Sequence, residues 1–349
     1  MSGRLLGEVL EFAAVPAPTF AEEPRLAWLE RRLANEPGRR YRDGVGNLIW
    51  SFGDAQPSVL LLAHVDTVFP DDVPLRFEQR DGRVTGPGIG DNAAAVVAVI
   101  HAVARLLARG PESLAVAFTV GEEGLGDLRG AHEACERLRP GCVVAVEGHG
   151  LEQVIVDAVG SVRLRVRVSG PGGHSWEDRG TPSAIHELVA LAAEMVALGT
   201  AAAPINVGLV SGGQSINSIA AEAEAVVELR ALQEGPLDRF EDHVRSLGDG
   251  SQLAVMVERV GRRPAGRLDR ADPLLAAVQG VRASLRLPDR LGSGSTDANA
   301  ALVRGIPALT LGIASGGGMH TADEWLDVAS LELGLEQLER TLAVLVNPA

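Results

Sequence analysis

The stretch that constrains this chain most is Leu60-Leu61-Leu62-Ala63-His64-Val65-Asp66, an apolar run ending in a histidine and a carboxylate two residues apart. Residues 58–65 are few, branched and aliphatic, and the turn-prone Phe69-Pro70-Asp71-Asp72 follows them, which is the pattern of a buried parallel strand. Residues i and i+2 of a strand face the same side. His64 and Asp66 are therefore expected to project together from the carboxyl end of a sheet, where open α/β folds build their sites. An imidazole whose second nitrogen is held in one tautomer by a neighbouring carboxylate makes a good metal ligand. His-x-Asp alone fits a core histidine beside a loop aspartate equally well, so the rest of the chain has to decide.

Residues 5–12 and 22–33 read as helices, with Glu22 and Glu23 favouring the start of the second. Residues 46–50 read as an edge strand paired with the Val59 strand. A glycine-rich segment, 83–90, precedes Asp91-Asn92, which opens an alanine- and valine-rich helix to Arg109, stopped by Gly110-Pro111. Strands at 113–120 and 142–146 run into Gly121-Glu122-Glu123-Gly124 and Glu147-Gly148. Strands ending in acid or histidine with helices between them follow the βαβ rhythm of a mostly parallel sheet. From Ser161 the pattern changes to βαββαβ, the order of a ferredoxin-like sandwich, and its first strand alternates Val162, Leu164, Val166 and Val168 with Arg163, Arg165 and Arg167. After a linker at 264–273 the α/β rhythm resumes. The expected architecture is an α/β catalytic domain from residues 1–159 and 267–349, mostly parallel sheet flanked by helices, with an α+β domain inserted at 160–266.

A hydrolase that uses two metals needs a bridging carboxylate, histidine and carboxylate ligands on each metal, and one more carboxylate to take a proton. His64, Asp91 and Glu147 supply one set, and Asp91, Glu123 and His320 the other. Glu122, next to Glu123, points elsewhere and takes the role of general base. Asp91 suits the bridge because it follows a glycine loop and precedes a helix, where the backbone can adopt an unusual conformation such as a cis peptide to Asn92. Asp66 stands behind His64. Singly, each has a bland alternative: a solvated Glu-Glu turn, an aspartate helix cap, a strand-end acid in water, a histidine on a glycine loop. Together, in this order around one sheet, they are hard to obtain by accident.

At these residues the chain resembles the dizinc metallopeptidase and deacylase family of aminoacylase, glutamate carboxypeptidase, tripeptide aminopeptidase, acetylornithine deacetylase and succinyl-diaminopimelate desuccinylase. The resemblance covers nearly the whole chain and rests on Leu62-Ala63-His64-Val65-Asp66-Thr67, Gly88-Ile89-Gly90-Asp91-Asn92, Val120-Gly121-Glu122-Glu123-Gly124, Val146-Glu147-Gly148 and Met319-His320-Thr321-Ala322-Asp323-Glu324. It implies two divalent metal ions, zinc first, with manganese or cobalt also accepted by so carboxylate-rich a set. It makes the inserted domain a lid and dimerisation domain. There, Gly170-Pro171-Gly172-Gly173-His174-Ser175 resembles the family's histidine motif and Gly212-Gly213-Gln214-Ser215-Ile216-Asn217-Ser218-Ile219 its asparagine motif, while Arg230 falls where such lids carry an arginine for a substrate carboxylate. His174 and Asn217 are thereby implied to stabilise the oxyanion, with the strand at 162–168 or the helix at 182–198 supplying a homodimer interface. Two departures stand out: Asn92-Ala93-Ala94 replaces a frequent methionine-lysine-glycine, as in certain peptidase-like branches, and Ala220 replaces a frequent proline.

The 349 residues carry 46 acidic against 32 basic side chains, a net charge of −14 spread along the chain. That leaves no electrostatic footprint for nucleic acid or anionic membrane. Cys135 and Cys142 form neither a disulfide framework nor a thiolate metal site and read as buried thiols. With no signal segment or transmembrane run, the expected address is the cytoplasm. His101, His132, His149, His186 and His243 lack matching partners and read as structural or solvated. The expected activity is amide hydrolysis on small peptides; the alternatives are an N-acyl amino acid deacylase and a metal-free binding relative.

Overall fold

A computed structural model describes residues 2–53, 56–107 and 113–346. The chain divides into two compact units, Met1–Ala158 with Arg267–Ala349, and Val159–Gly266.

The first unit is built on a nine-stranded sheet among the described residues. Its order is Arg39–Arg42, Leu48–Gly53, Ser113–Thr119, Val59–His64, Cys142–His149, Ala308–Ala314, Val154–Ala158 and Gly266–Arg267, with Leu291–Gly294 alongside Val154–Ala158. The four central strands, from Ser113–Thr119 to Ala308–Ala314, are mutually parallel. The Leu60 run is uniformly apolar because both of its faces are covered. Val59, Leu61 and Ala63 enter one hydrophobic core, while Leu60 and Leu62 enter another on the opposite face. Burying each such leucine contributes about 1.5–3 kcal/mol, and shifting the strand by one residue would exchange the two sets and move His64 off its face.

Two expectations change. The strand at Leu48–Gly53 is not the edge and does not pair with Val59–His64; it lies antiparallel between Arg39–Arg42 and Ser113–Thr119. Leu48, Ile49 and Trp50 are fully buried and need neighbours on both sides, whereas the arginines of Arg39–Arg42 suit the solvated edge. The helix after the glycine loop is broken. Ile89–Ala94 is a wide, irregular turn with non-helical backbone at Asp91 and Asn92 and a cis peptide between them, and the regular helix is Ala95–Leu106. The stop expected at Gly110-Pro111 lies outside the described residues. The span Ile89–Leu106 is apolar and long enough to cross a membrane, but it is mostly buried, packing on the sheet and on the helix Val328–Val346.

The second unit is an antiparallel sheet in the order Ile205–Gly212, Glu222–Ala231, Gly160–Ser169, Ala254–Arg263. Val162, Leu164, Val166 and Val168 form its core with Leu188 and Met195 of the helix Ala184–Ala197 and Phe240 of Glu234–Leu247. The arginines on the other face are neutralised across the strands: Arg163 pairs with Glu228 at 2.8 Å, Arg165 with Glu224 and Glu258 at 3.3 and 3.2 Å, and Arg167 with Glu224 at 2.6 Å. The 162–168 strand, one of the two elements expected to supply a homodimer interface, offers no free edge for pairing. That strand is flanked on both sides, and the edges are Ile205–Gly212 and Ala254–Arg263.

Candidate metal centre

The carboxyl ends of the parallel strands deliver the first unit's candidate ligands. His64 ends its strand, Glu122 and Glu123 follow Thr119, Glu147 lies in the last turn of its strand, and His320 follows Ala308–Ala314 by six residues. Asp91 sits between the two histidines. Its Oδ1 is 3.0 Å from His64 Nε2 and its Oδ2 is 3.1 Å from His320 Nε2. Glu147 Oε2 lies 3.6 Å from His64 Nε2, and Glu123 Oε1 lies 3.3 Å from His320 Nε2. Two groups with ligand atoms within 4.8 Å of one another thus share Asp91: His64, Asp91 and Glu147, and Asp91, Glu123 and His320. A third, His64 with Glu122 and Glu123, lies equally close.

Backbone geometry makes this cluster possible. A Cβ on Gly148 would come within 1.9 Å of the Gly90 carbonyl, so only glycine lets the Glu147 strand meet the Asp91 loop. Asn92 stitches the two together: its Nδ2 donates to Val146 O at 3.0 Å and its Oδ1 accepts from Gly148 N at 2.9 Å. Asp66 is fully buried, but it serves more than His64. Its Oδ1 is 3.5 Å from His64 Nδ1, while its two oxygens accept the N–H groups of Glu122 and Glu123 at 3.0 and 2.9 Å and the Thr19 hydroxyl at 2.9 Å.

The electrostatics fit a cation. Burial disfavours the His64 imidazolium, yet hydrogen bonds to Asp66, Asp91 and Glu147 hold its proton affinity well above the usual range. Hydrogen bonds to Asp91 and Glu123 raise His320 to about 10. Burial pushes Glu147 up, and Glu123 up to about 7. Asp91 is buried too, but the two histidines hold its carboxyl far below the normal range. Without a cation, protons balance the crowded carboxylates; a divalent ion would replace them.

A family model for Peptidase family M20/M25/M40 matches residues 60–344. The chain belongs to this family. Among curated M20 relatives, acetylornithine deacetylase from Pasteurella multocida is 27% identical over 62% of this chain and 60% of its own length. The [LysW]-lysine hydrolase of Deinococcus radiodurans is 26% identical over 97% of this chain and 96% of its own. The chain spans 60% and 53% of the first two relatives it matches, the second a probable carboxypeptidase from Trichophyton verrucosum. The fold is that of a tripeptidase from Staphylococcus aureus, with a TM-score of 0.81 at 22% identity and 99% coverage of both chains, and of aminopeptidase PepT from Bacillus cereus, with a TM-score of 0.81 at 21% identity and 99% coverage of both.

The M20 motifs quoted from the sequence left four supporting residues without a role. Glu324 is fully buried; Oε2 accepts from Gly88 N at 2.7 Å, and Oε1 from Gly90 N at 2.8 Å and Asp91 N at 2.7 Å. His149, read as structural or solvated, lies with Nε2 2.7 Å from the same Oε1. Glu22, read as a helix-start charge, makes no side-chain cap; its Oε1 accepts from Phe20 N and Gly121 N at 2.9 and 3.0 Å. Arg25 is buried, donating to Val15 O and Val65 O at 3.0 and 2.9 Å, and burial lowers it to about 10 against the attraction of Asp66, Asp91 and Glu324. No spacing rule flags these residues, because their partners lie far away in sequence.

In the second unit, Gly173–His174 pairs antiparallel with Ser218–Ile219, and Ser175 N donates to Asn217 O at 3.0 Å, which brings the histidine and asparagine motifs onto one exposed tip. His174 Nδ1 accepts the N–H groups of Trp176 and Glu177 at 3.3 and 3.2 Å. With Nδ1 accepting, Nε2 is the ring nitrogen left to donate. Arg230 is engaged by Glu228 at 2.8 and 3.2 Å on a half-exposed surface.

Proposed function

We propose that the protein hydrolyses amide bonds of small peptides with two divalent cations, zinc first and manganese or cobalt as substitutes, held by His64, Asp91 and Glu147 and by Asp91, Glu123 and His320. The observation that carries this reading is Asp91, which offers one oxygen to each histidine, the disposition a bridging ligand requires. Cations held there would polarise the scissile carbonyl and acidify a water. Glu122 takes the proton of that water and returns it to the leaving nitrogen. Its backbone N–H is held by Asp66, so the turn that carries Glu122 is anchored by the same residue that backs His64. His174, with Nε2 left to donate, fits a donor to developing negative charge on the substrate oxygen, joined by Asn217. Arg230 is assigned to a substrate carboxylate, and its exposed pairing with Glu228, weak in water, is one a tighter carboxylate could displace.

The second reading, an N-acyl amino acid deacylase, is favoured by the similarity to acetylornithine deacetylase. The same proposal includes a homodimer through the second unit, to which the exposed Val189 and Val196 of the Ala184–Ala197 helix would contribute apolar surface. It also includes a cytoplasmic setting, which the free thiols of Cys135 and Cys142 support. The deciding experiment assays purified protein at controlled zinc, manganese and cobalt on tripeptides and N-acetyl amino acids, with Glu122→Gln alongside. Peptide cleavage that falls by roughly a hundredfold or more in Glu122→Gln at unchanged metal content supports the reading. Turnover of acetyl amino acids alone would select the deacylase, and loss of metal in Glu122→Gln would make Glu122 a ligand.

A further inference from the structure

Phe20 is a large apolar side chain left 59% exposed, on a backbone with φ of 75°, a region bulky residues rarely occupy. Several contacts hold it there. Its N–H donates to Glu22 Oε1, which also accepts from Gly121 N; the preceding Thr19 donates to Asp66; and Ala21 N donates to Pro18 O at 2.8 Å. The neighbouring Pro18 bridges to Thr67. The side chain lies against Arg129, whose guanidinium carbon is 5.2 Å from the ring centroid and whose Nε would meet a Cβ on Gly121 at 2.6 Å. Arg129 in turn reaches Glu22 Oε2 at 3.6 Å. Two anchors of this turn are therefore also anchors of the Glu122–Glu123 turn: Asp66 through both N–H groups, Glu22 through Gly121. Leu125, 54% exposed, stands two residues beyond Glu123.

Backbone strain and an exposed aromatic face both cost stability, and a chain that needed only to close this turn would place glycine or asparagine at such a position. Among the described residues Arg129 is the cation stacked on the ring, and more than half of the residue's surface stays open to water. We propose that Phe20, backed by Arg129, is a specificity-determining wall beside the Glu122–Glu123 turn that receives an apolar side chain flanking the scissile amide. This deepens the peptide-hydrolase reading and rests on it. Loss or gain of one such apolar contact discriminates between side chains by about 10–200-fold at most.

The test measures binding, so that it stands apart from turnover. Zinc-loaded Glu122→Gln protein is titrated calorimetrically with Phe-Gly-Gly, Gly-Phe-Gly and Gly-Gly-Gly, and the titrations are repeated with Phe20→Ala and Phe20→Gly added. At least one phenylalanine peptide is expected to bind tenfold or more tightly than Gly-Gly-Gly, and that advantage to shrink at least fivefold in both double variants. Phe20→Gly relieves the backbone strain, so its melting temperature should equal or exceed that of its parent. No preference for a phenylalanine peptide, or a preference that survives both substitutions, overturns the proposal. So does a loss of binding to all three peptides accompanied by a lowered melting temperature in Phe20→Gly, which would make the residue structural. Cleavage by the otherwise unchanged protein is assayed separately: failure to cleave with Phe20-dependent binding intact counts against the hydrolase reading and leaves the wall supported.

Discussion

Glu324 Oε1 accepts the backbone N–H of Asp91 at 2.7 Å, across 233 residues of sequence. The same fully buried carboxylate takes two further N–H groups of the glycine loop and faces His149. A buried hydrogen bond to a charged group contributes about 2 kcal/mol, and here three of them fix the loop that aims Asp91 at both histidines. Glu324→Ala is expected to weaken metal binding roughly tenfold to a hundredfold, the usual cost of removing a group that orients a ligand. It should also lower the melting temperature, because three N–H groups are left unpaired. Metal content measured after dialysis against a graded chelator checks this, and unchanged retention would detach Glu324 from the site.

Asp66 gives a second prediction, with two effects where the sequence promised one. Asp66→Asn keeps the shape but replaces one acceptor oxygen by an amide donor facing N–H groups it cannot bond. Metal affinity should fall roughly tenfold to a hundredfold. Because one of the two, Glu122 N or Glu123 N, loses its acceptor as well, kcat should fall even in protein saturated with metal. His64→Ala, by contrast, should remove one metal almost entirely. A variant that recovers full kcat on saturation would confine Asp66 to His64.

What could be read from the sequence follows from how local its cause is. The Leu60 run, the six acids and histidines at strand ends and the βαββαβ order of the second unit are each written within a few residues. The place of Leu48–Gly53 in the sheet was not, because which strand borders which depends on whether faces are buried globally, and the buried Leu48, Ile49 and Trp50 only look edge-like beside the polar residues around them. The break at Asp91 and Asn92 was half legible: the glycine loop pointed to unusual backbone, but the alanines after it read as unbroken helix. The roles of Glu324, quoted only as the end of a motif, of Glu22, read only as a helix-start charge, and of Arg25 were not legible, because each acts on backbone groups of a distant loop, and backbone groups carry no sequence signature.

Protons and metal compete for the same atoms, which gives a third prediction. His64 is held protonated well above its usual range, His320 up to about 10, and Glu123 up to about 7. Each must release its proton to act as a ligand, so metal affinity should rise with pH and be at least about tenfold weaker at pH 6 than at pH 8. Calorimetry at pH 7 in buffers of differing ionisation enthalpy should show one or more protons released per metal bound. Release of none would mean that these residues are not the ligands.

Asp297 carries the last prediction. It is buried, it accepts the Thr119 hydroxyl on Oδ2 at 2.5 Å, and its Oδ1 has no hydrogen-bond partner. Burial, followed by repulsion from Glu122, pushes its carboxyl up to about 8, with His64 and Thr119 opposing. In the unfolded chain an aspartate titrates near about 4. Between those two values the folded protein holds a proton that the unfolded chain has released, so this group's stabilising effect is complete below about pH 4 and is lost as pH rises through about 8. Asp297→Asn keeps the size and an acceptor for Thr119 but cannot ionise, so it escapes that loss. In metal-free protein its melting temperature, taken relative to the unsubstituted chain, should therefore be higher at pH 8 than at pH 5. The expected gap is at least about 1.5 °C, the shift that roughly 1 kcal/mol produces in a protein of this size. A relative melting temperature that is the same at both pH values would trace any effect of the substitution to packing and hydrogen bonding, and would mean that the buried carboxyl does not titrate in this range.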